Sequence, residues 1–414
     1  MRARLIIASM FSSFVLLIIV THANAESYSF QTLVSFDNTT VDGYSPTGPL
    51  TFDADGNLWG VTTYGGVNGG GTIFEITADT HTFITQFDFG PASTSNACYS
   101  PAGRLVLDSY GNIFGQTGSF SNVVFKYSTT SHQLTVLSHV TGGPSYSGLV
   151  TDSQGNLFGT TSIPPFGATN QFSTVFEISA NSPQITTLAT FQSDISPLVT
   201  DSVGNIFGVT SAGGTSNVGS IFEITAGAHN VITLASFDGN NGAYPGGGLT
   251  IDSLGNIFGI TGNGGALNYG TIFKLDAGSH VITALASFDG TNGQRASGHI
   301  AIDSDGNLYG TTLGDYATNS GNVFKFDHTT KTIIPLVTFP FQSHYWANYG
   351  VVLDANGNIY GTDISSGSFR GGSVFELVRS VPEPSSVIHL LALSLFLPVL
   401  FRSIITRMLR RWSN

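Results

Sequence analysis

Seven aspartates sit in one recurring frame, Asp-x-x-Gly-Asn-[Leu/Ile]-aromatic-Gly, beginning at Asp53, Asp108, Asp152, Asp201, Asp252, Asp303 and Asp354. A carboxylate ahead of a glycine turn is how many cation sites begin, and "DADGN" at Asp53 and "DSDGN" at Asp303 resemble the opening of a calcium loop. Neither is followed by the Glu that would close such a loop, and the other five copies lack the second Asp. The same residues have a mechanical use. An Asp carboxylate accepts from backbone N–H groups two residues on, and Gly takes the positive φ of a tight turn at little steric cost. A hairpin turn accounts for all seven copies, so no metal and no other cofactor is expected.

The remaining chemistry-bearing residues are spread rather than gathered. His81, His132, His229, His280 and His328 each fall at or near the same point of a repeat, and metal ligation or general-base work needs convergence. His299 and His344 stand apart, with no carboxylate or second His at a diagnostic spacing from either. There is no Gly-x-Ser-x-Gly elbow and no phosphate-binding loop. The single Cys98 excludes an intrachain disulfide and reads as a bystander. No catalytic residue is assigned. Sites can also be assembled from segments far apart in the chain, so an enzyme acting on a glycan or related polymer stays open as an alternative.

The elements that carry these residues follow from the repeat. The seven aspartates are 55, 44, 49, 51, 51 and 51 residues apart, a period that belongs to propellers, solenoids or arrays. Each unit carries four short apolar runs bounded by Gly, Asn, Asp and Pro; in the fifth these are "GLTID", "NIFGIT", "GTIFKLD" (270–276) and "HVITALASF" (280–288). Rich in Ile, Val, Thr and Phe, they read as strands, and no helical period competes between residues 28 and 378. Phe74, Phe125, Phe176, Phe222, Phe273, Phe324 and Phe375 recur in the third run and are expected in the core, as are Trp59, Phe114, Phe158, Phe207, Phe258, Tyr309 and Tyr360 in the second.

The fold expected is all-β, a seven-bladed β-propeller of four-stranded blades. The seventh unit stops after its third run, whereas "YSFQTLVSF" (28–36) is a fourth-type run that precedes the first unit. An N-terminal strand completing the last blade would seal the ring and remove two exposed sheet edges.

The two ends lie outside this repeat. "MRAR", the apolar run Leu5 to Val20 and "THANA", with small residues Ala23 and Ala25, form the three parts of a secretory signal peptide over residues 1–25. At the other end, residues 381–414 hold Pro382-Glu383-Pro384, a short apolar stretch from Val387 to Phe401 read as a membrane helix, and Arg402, Arg407, Arg410 and Arg411. Terminal arginines would hold that end in the cytoplasm. A bare membrane anchor is the simpler alternative.

This C-terminal arrangement resembles a PEP-CTERM sorting signal. The resemblance implies recognition and removal by an exosortase-like processing enzyme in an exopolysaccharide-producing Gram-negative bacterium, with transient anchoring in the inner membrane. The repeats, with "GNLYGTT" (306–312), "GTIFKL" (270–275) and "SFDGNNGAYPGGGL" (236–249), are similar to the GloVer tandem repeats of choice-of-anchor surface proteins, over roughly residues 28 to 378. That likeness implies export to the cell surface or extracellular matrix, and no enzymatic activity.

Charge narrows the partners. The chain holds 26 Asp and Glu against 14 Lys and Arg, and only 8 of those bases fall within residues 26–380. Nucleic acid is excluded, because phosphate binding needs a basic surface. In an up-and-down blade the Asp-Gly-Asn turns lie on one face, and the longer, more variable loops lie on the other. Tyr44, Tyr64, Tyr99, Tyr146, Tyr244, Tyr269, Tyr345 and Trp346 concentrate in those longer loops among Gly and Asn. Flat aromatic faces beside amide donors and acceptors suit sugar rings. The leading reading is a monomeric, noncatalytic binding or matrix-interaction module for extracellular polysaccharide; a structural coat protein is a further alternative. Mass spectrometry of the native surface protein should find its first residue at Glu26 and its last near the Pro-Glu-Pro triplet, with the Arg410 and Arg411 peptides missing.

Overall fold

The structure, a computed structural model, describes residues 26–380 other than 38–40, 91–97, 119–121, 142–144, 146, 163–171, 315–320, 340–348 and 365–370. The expected signal peptide and sorting segment therefore lie outside the described residues. Among those described there is no helix long and apolar enough to cross a membrane. The chain divides into a unit spanning Phe30–Leu377 and a small one made of its two ends, in which Arg379 is ion-paired with Glu26.

Seven antiparallel sheets follow one another along the chain, as the repeat predicts. Strands A to D of the fourth blade are Val199–Thr200, Ile206–Thr210, Ser220–Ile224 and Val231–Ser236. The last blade takes its outer strand from the N-terminus: Ser27–Ser35 pairs with Ser373–Ser380, next to Ile359–Asp363 and Val351–Leu353. This is the seven-bladed propeller expected, closed by its first strand. Blades one and five differ in one respect. Their A strand is cut in two, Tyr44–Pro46 with Thr51–Phe52 and Ala243–Pro245 with Thr250–Ile251, because Gly and Pro interrupt it.

One cross-strand pair recurs in every blade. The Gly that ends the repeated frame pairs with the Phe of strand C: Gly60 with Phe74, Gly115 with Phe125, Gly159 with Phe176, Gly208 with Phe222, Gly259 with Phe273, Gly310 with Phe324 and Gly361 with Phe375. In all seven, a Cβ added to the Gly would fall 2.4–2.8 Å from the tip of that Phe ring. The frame therefore requires Gly here for space, not for backbone freedom. Opposite the Phe, strand D carries a β-bulge in each of the six complete C–D pairs, and in five of them the looped-out residue is Leu137, Leu188, Leu234, Leu285 or Leu336.

The buried Phe also joins blades. Strand D ends in an aromatic that packs on the strand-C Phe of the next blade: Phe89 on Phe125, Phe191 on Phe222, Phe237 on Phe273, Phe288 on Phe324 and Phe339 on Phe375, with ring centroids 4.4–5.6 Å apart. Val140 replaces the aromatic between the second and third blades, in one buried cluster with Phe176. Phe36, just past the N-terminal strand, closes the circle on Phe74 at 5.6 Å. The core thus lies between blades, and the clusters that include Phe36 and Phe74, or Phe89 and Phe125, each draw on two of them.

Removing residues 26–36 should open the ring at this joint and lower the melting temperature of the whole propeller, read by calorimetry as loss of the native transition. Gly259→Ala should cost ~1–3 kcal/mol by overpacking against Phe273. Gly278→Ala, with only Asp276 at 3.7 Å from the added carbon, should be near neutral.

Candidate functional site

On the short-turn face the aspartates are already occupied. In every copy Oδ1 accepts from the backbone N–H groups two and four residues on, and Oδ2 accepts from the Asn side chain at 2.7–2.9 Å. The Asn carbonyl oxygen then accepts from the neighbouring C–D turn, for instance Ala226 N–H to Asn205 at 2.9 Å. Each frame is therefore a self-satisfied clasp between two turns. Among the described residues no group of three or more His, Cys, Asp or Glu is placed to hold a metal ion. A cavity of about 760 Å³ between the second and third blades opens on this face and is lined by Asp108, Tyr110, Lys126 and Asp152. Two of those are clasp aspartates, which leaves Lys126, itself over the Phe114 ring, as its charged side chain.

The recurring histidines have a backbone explanation. His81, His132, His229 and His280 have φ of 50–55° and donate N–H to the carbonyl four residues earlier. His tolerates the left-handed region better than most residues. Lys331 takes this place in the sixth blade, so His328 belongs to a different position of the turn.

The long-loop face holds the tyrosines, and the loops there are braced. Asp238 and Asp289 each accept two N–H groups of their own loop through Oδ1, which holds the Asp289 carboxyl below the usual carboxylate range, chiefly through the Asn292 N–H. Ser45, Ser100, Tyr244 and Arg295 share one position in four blades, with φ of 51–57°, and their N–H groups dock on the loop of the preceding blade. Tyr244 is unusual there, since a bulky side chain in this region marks a constrained site. The residue is 52% exposed. Tyr269 is also exposed and belongs to the same blade, and its ring lies near Gly290 of the next loop. Tyr44 and Tyr64 form a cross-strand pair with rings 5.5 Å apart on the first blade, and Tyr99 is half-buried. Among the described residues these tyrosines thus lie on different blades, with Tyr244 docked toward the fourth blade and Tyr269 toward the sixth. Tyr146, Tyr345 and Trp346 lie outside the described residues.

At the axis the structure brings together two residues that spacing keeps apart. Four residues before each repeated Asp stand Pro49, Arg104, Gly148, Pro197, Gly248, His299 and Gly350. The innermost strands approach so closely here that a Cβ on Gly148 or Gly350 would fall 2.0 Å from the backbone of Arg104 or His299. Strand A bulges at this point in the second and sixth blades. Leu105 and Ile300 turn onto the bare Gly115 and Gly310 while the neighbouring residue projects inward. Arg104 Nη1 and His299 Nε2 meet at 3.3 Å across the ring.

Their protonation follows from their contacts. His299 Nδ1 lies 2.8 Å from the Ile300 carbonyl, which can only accept, so Nδ1 carries the proton and Nε2 accepts from Arg104. Burial, and secondarily the Arg104 charge, push the His299 pKa down from 6.5 to about 4. Both residues are half-buried. The sequence marked His299 as isolated but could not supply its partner 195 residues away. The available signal was that five of the seven equivalent positions are Gly or Pro. Elsewhere, burial pushes the Cys98 thiol up to about 12, consistent with a bystander.

The fold and these sites define an all-β propeller repeat protein. Residues 194–375 match the Gloeobacter/Verrucomicrobia repeat. No curated protein matches the chain. Among solved structures, a puromycin-hydrolyzing peptidase of Mycobacterium tuberculosis is similar at 14% identity and a TM-score of 0.55, over 87% of this chain and 55% of that one. An oligogalacturonate lyase from Vibrio parahaemolyticus is similar at 11% identity and a TM-score of 0.54, over 87% of this chain and 99% of that one. The extracellular domain of a one-component system from B. thetaiotaomicron gives 13% identity and a TM-score of 0.52, over 83% of this chain but 39% of that one. At such identities the likeness concerns the fold.

His299 generates a pH dependence. Its native pKa lies below the unfolded value, so the stability it contributes is present above about pH 6.5 and is lost as pH falls toward about 4, where only the unfolded chain binds the proton readily. Urea melts at pH 7 and pH 4.5 should show a larger loss for the native chain than for His299→Gln.

Proposed function

We propose that the protein is an exported, surface-associated propeller that acts as a noncatalytic binding module for extracellular polysaccharide, through the face built from the long B–C and D–A loops. The observation that carries this reading is Tyr244, an exposed ring on a left-handed backbone that its loop docking enforces. Strain of this kind is tolerated at binding sites where it presents a side chain. Tyr269, against the sixth blade, and the Tyr44–Tyr64 pair supply further flat, amphipathic surface. The braced loops limit the ordering cost of binding. The opposite face offers turns whose carboxylates are internally satisfied.

In this reading residues 1–25 direct export and are cleaved after Ala25. Residues 26–380 are the working domain. Residues 381–414, with Pro382, Glu383, Pro384, Arg410 and Arg411, hold the chain in the inner membrane until an exosortase-like enzyme removes them. Extracellular neighbours of the same fold, such as the B. thetaiotaomicron domain, are compatible with this location.

A glycan array probed with the purified chain, with product analysis on every glycan retained, tests the reading. Retention without cleavage supports it, cleavage points to an enzyme, and no retention points to a coat protein. On a retained glycan, Tyr244→Gly with Tyr269→Ala should weaken binding ~10-fold or more, as loss of anchoring aromatics does. Gly accepts the left-handed backbone, so the melting temperature should change little. Asp201→Asn in the opposite turns should leave affinity intact.

A further inference from the structure

The joints between blades on the Asp-Gly-Asn face follow a pattern that one of them breaks. The residue after the strand-C Phe is Glu75, Glu177, Glu223 or Glu376 in four blades, and the next blade round the ring then carries His at the left-handed place of its C–D turn: His132, His229, His280 and His81 respectively. Two of these pairs lie close, His229 with Glu177 at 3.8 Å and His81 with Glu376 at 3.9 Å. Between the second and third blades Lys126 stands in place of the acid and Pro183 in place of the His. The cavity at that joint is about 760 Å³, against about 410 Å³ for the corresponding one between the seventh and first blades, which His81 lines.

The polar groups of the two joints are matched differently. At the seventh, the Tyr360 hydroxyl lies 2.8 Å from Glu376 and 3.4 Å from Asp354, between the strand-C acid and the clasp carboxylate. At the second, Phe114 stands in place of that Tyr and has no hydroxyl to give. Asp108 accepts three bonds, from the Tyr110 and Asn112 N–H groups and the Asn112 side chain, and a carboxylate has about four lone-pair places. Lys126 lies over the Phe114 ring and has no ion-pair partner among the described residues, whereas Lys274, at the same place in the fifth blade, is held by Asp276 at 3.3 Å. A donor and an acceptor place without an internal match therefore line one cavity, whose volume falls in the ~300–1,000 Å³ range of small-molecule sites. Phe114, Leu137 and Pro183 give it apolar walls, and the exposed Tyr110 adds a flat ring. We propose that this cavity binds a neutral sugar, one hydroxyl donating to Asp108 Oδ2 and its neighbour accepting from Lys126. An anion would meet the Asp108 and Asp152 carboxylates and a cation would meet Lys126, while a pair of hydroxyls makes both bonds without charge. The site lies on the face opposite Tyr244 and does not rest on the polysaccharide reading.

The test is an NMR titration of the full chain labelled with 13C in its lysine side chains, which are only four, Lys126, Lys274, Lys325 and Lys331. The Lys126 signal is identified by its loss in Lys126→Met. D-glucose, D-galactose and D-mannose, which between them offer trans and cis neighbouring hydroxyls, are added at pH 7, with L-alanine as a zwitterion and sodium acetate as an anion. At least one sugar should shift the Lys126 signal saturably while the other three lysines stay in place, and alanine and acetate should not. Phe114→Tyr, which supplies Asp108 with the hydroxyl that Tyr360 gives Asp354, should weaken that sugar ~10-fold or more at an unchanged melting temperature. Tyr244→Gly should leave the shift unchanged, so this site and the polysaccharide reading can fail separately. No Lys126-specific shift with any of the three sugars, a larger one with alanine or acetate, or undiminished affinity in folded Phe114→Tyr would overturn the proposal. Should Phe114→Tyr fail to fold, the comparison of sugars with alanine and acetate in the native chain decides.

Discussion

Every blade is organised around the contact between a glycine on its second strand and a phenylalanine ring laid across it from the third. The glycine has no side chain because the ring, together with a Leu or Ile from the first strand in six blades, occupies the place where its Cβ would be. A ring fixed this way is covered only in part from within its own blade, as where Phe83 packs on Phe74 with centroids 5.5 Å apart. It is covered by the last residue of the preceding blade's outer strand, so the packing that completes one blade also joins it to its neighbour. A sheet with this pattern buries its core only in a series, and a closed series leaves no blade uncovered. The N-terminal strand follows from that requirement, since Phe36 covers Phe74 from outside its blade.

The same contact sets the two sites. In the second and sixth blades, where Leu105 and Ile300 lie on the glycine, the first strand bulges at the preceding residue, Arg104 or His299. In most blades the crowding there admits only Gly or Pro, so Arg104 and His299 are conspicuous as the exceptions. At the rim, the loop that leads from one blade to the next must dock on its neighbour, which imposes the left-handed backbone at Ser45, Ser100, Tyr244 and Arg295. Stability and candidate function thus occupy the same strands at different heights: glycine and ring in the middle, the Asp-Gly-Asn clasp at one end, exposed tyrosines at the other.

Much of this architecture is legible in the chain, because a propeller repeats its constraints. The seven Asp-x-x-Gly-Asn frames, the buried aromatics and the displaced fourth strand can all be read from spacing, and the aspartates have the turn role their spacing suggests. What spacing cannot deliver is convergence. Arg104 and His299 meet because ring closure brings the second and sixth blades face to face, a relation between residues 195 apart. The bulge beside each Phe was also concealed, although Leu137, Leu188, Leu234 and Leu285 interrupt the alternation of their strands at the point where it occurs. Of the tyrosines expected in the long loops, Tyr44, Tyr64 and Tyr244 lie at the ends of or within short strands beside those loops, and their distribution over different blades depends on the order of the ring.

Closure through the phenylalanine joints makes the propeller a single cooperative ring, and native-state hydrogen exchange on Phe36→Ala measures this most directly. Loss of a buried Phe contact costs ~3–5 kcal/mol. In a closed ring that loss should reduce the protection of the slowest amides in the distant fourth blade, such as Ile221 and Phe222, as much as that of Ile73 and Phe74 in the first. Loosening confined to the first and last blades, with the fourth unchanged, would contradict the account and describe an open array of independent units.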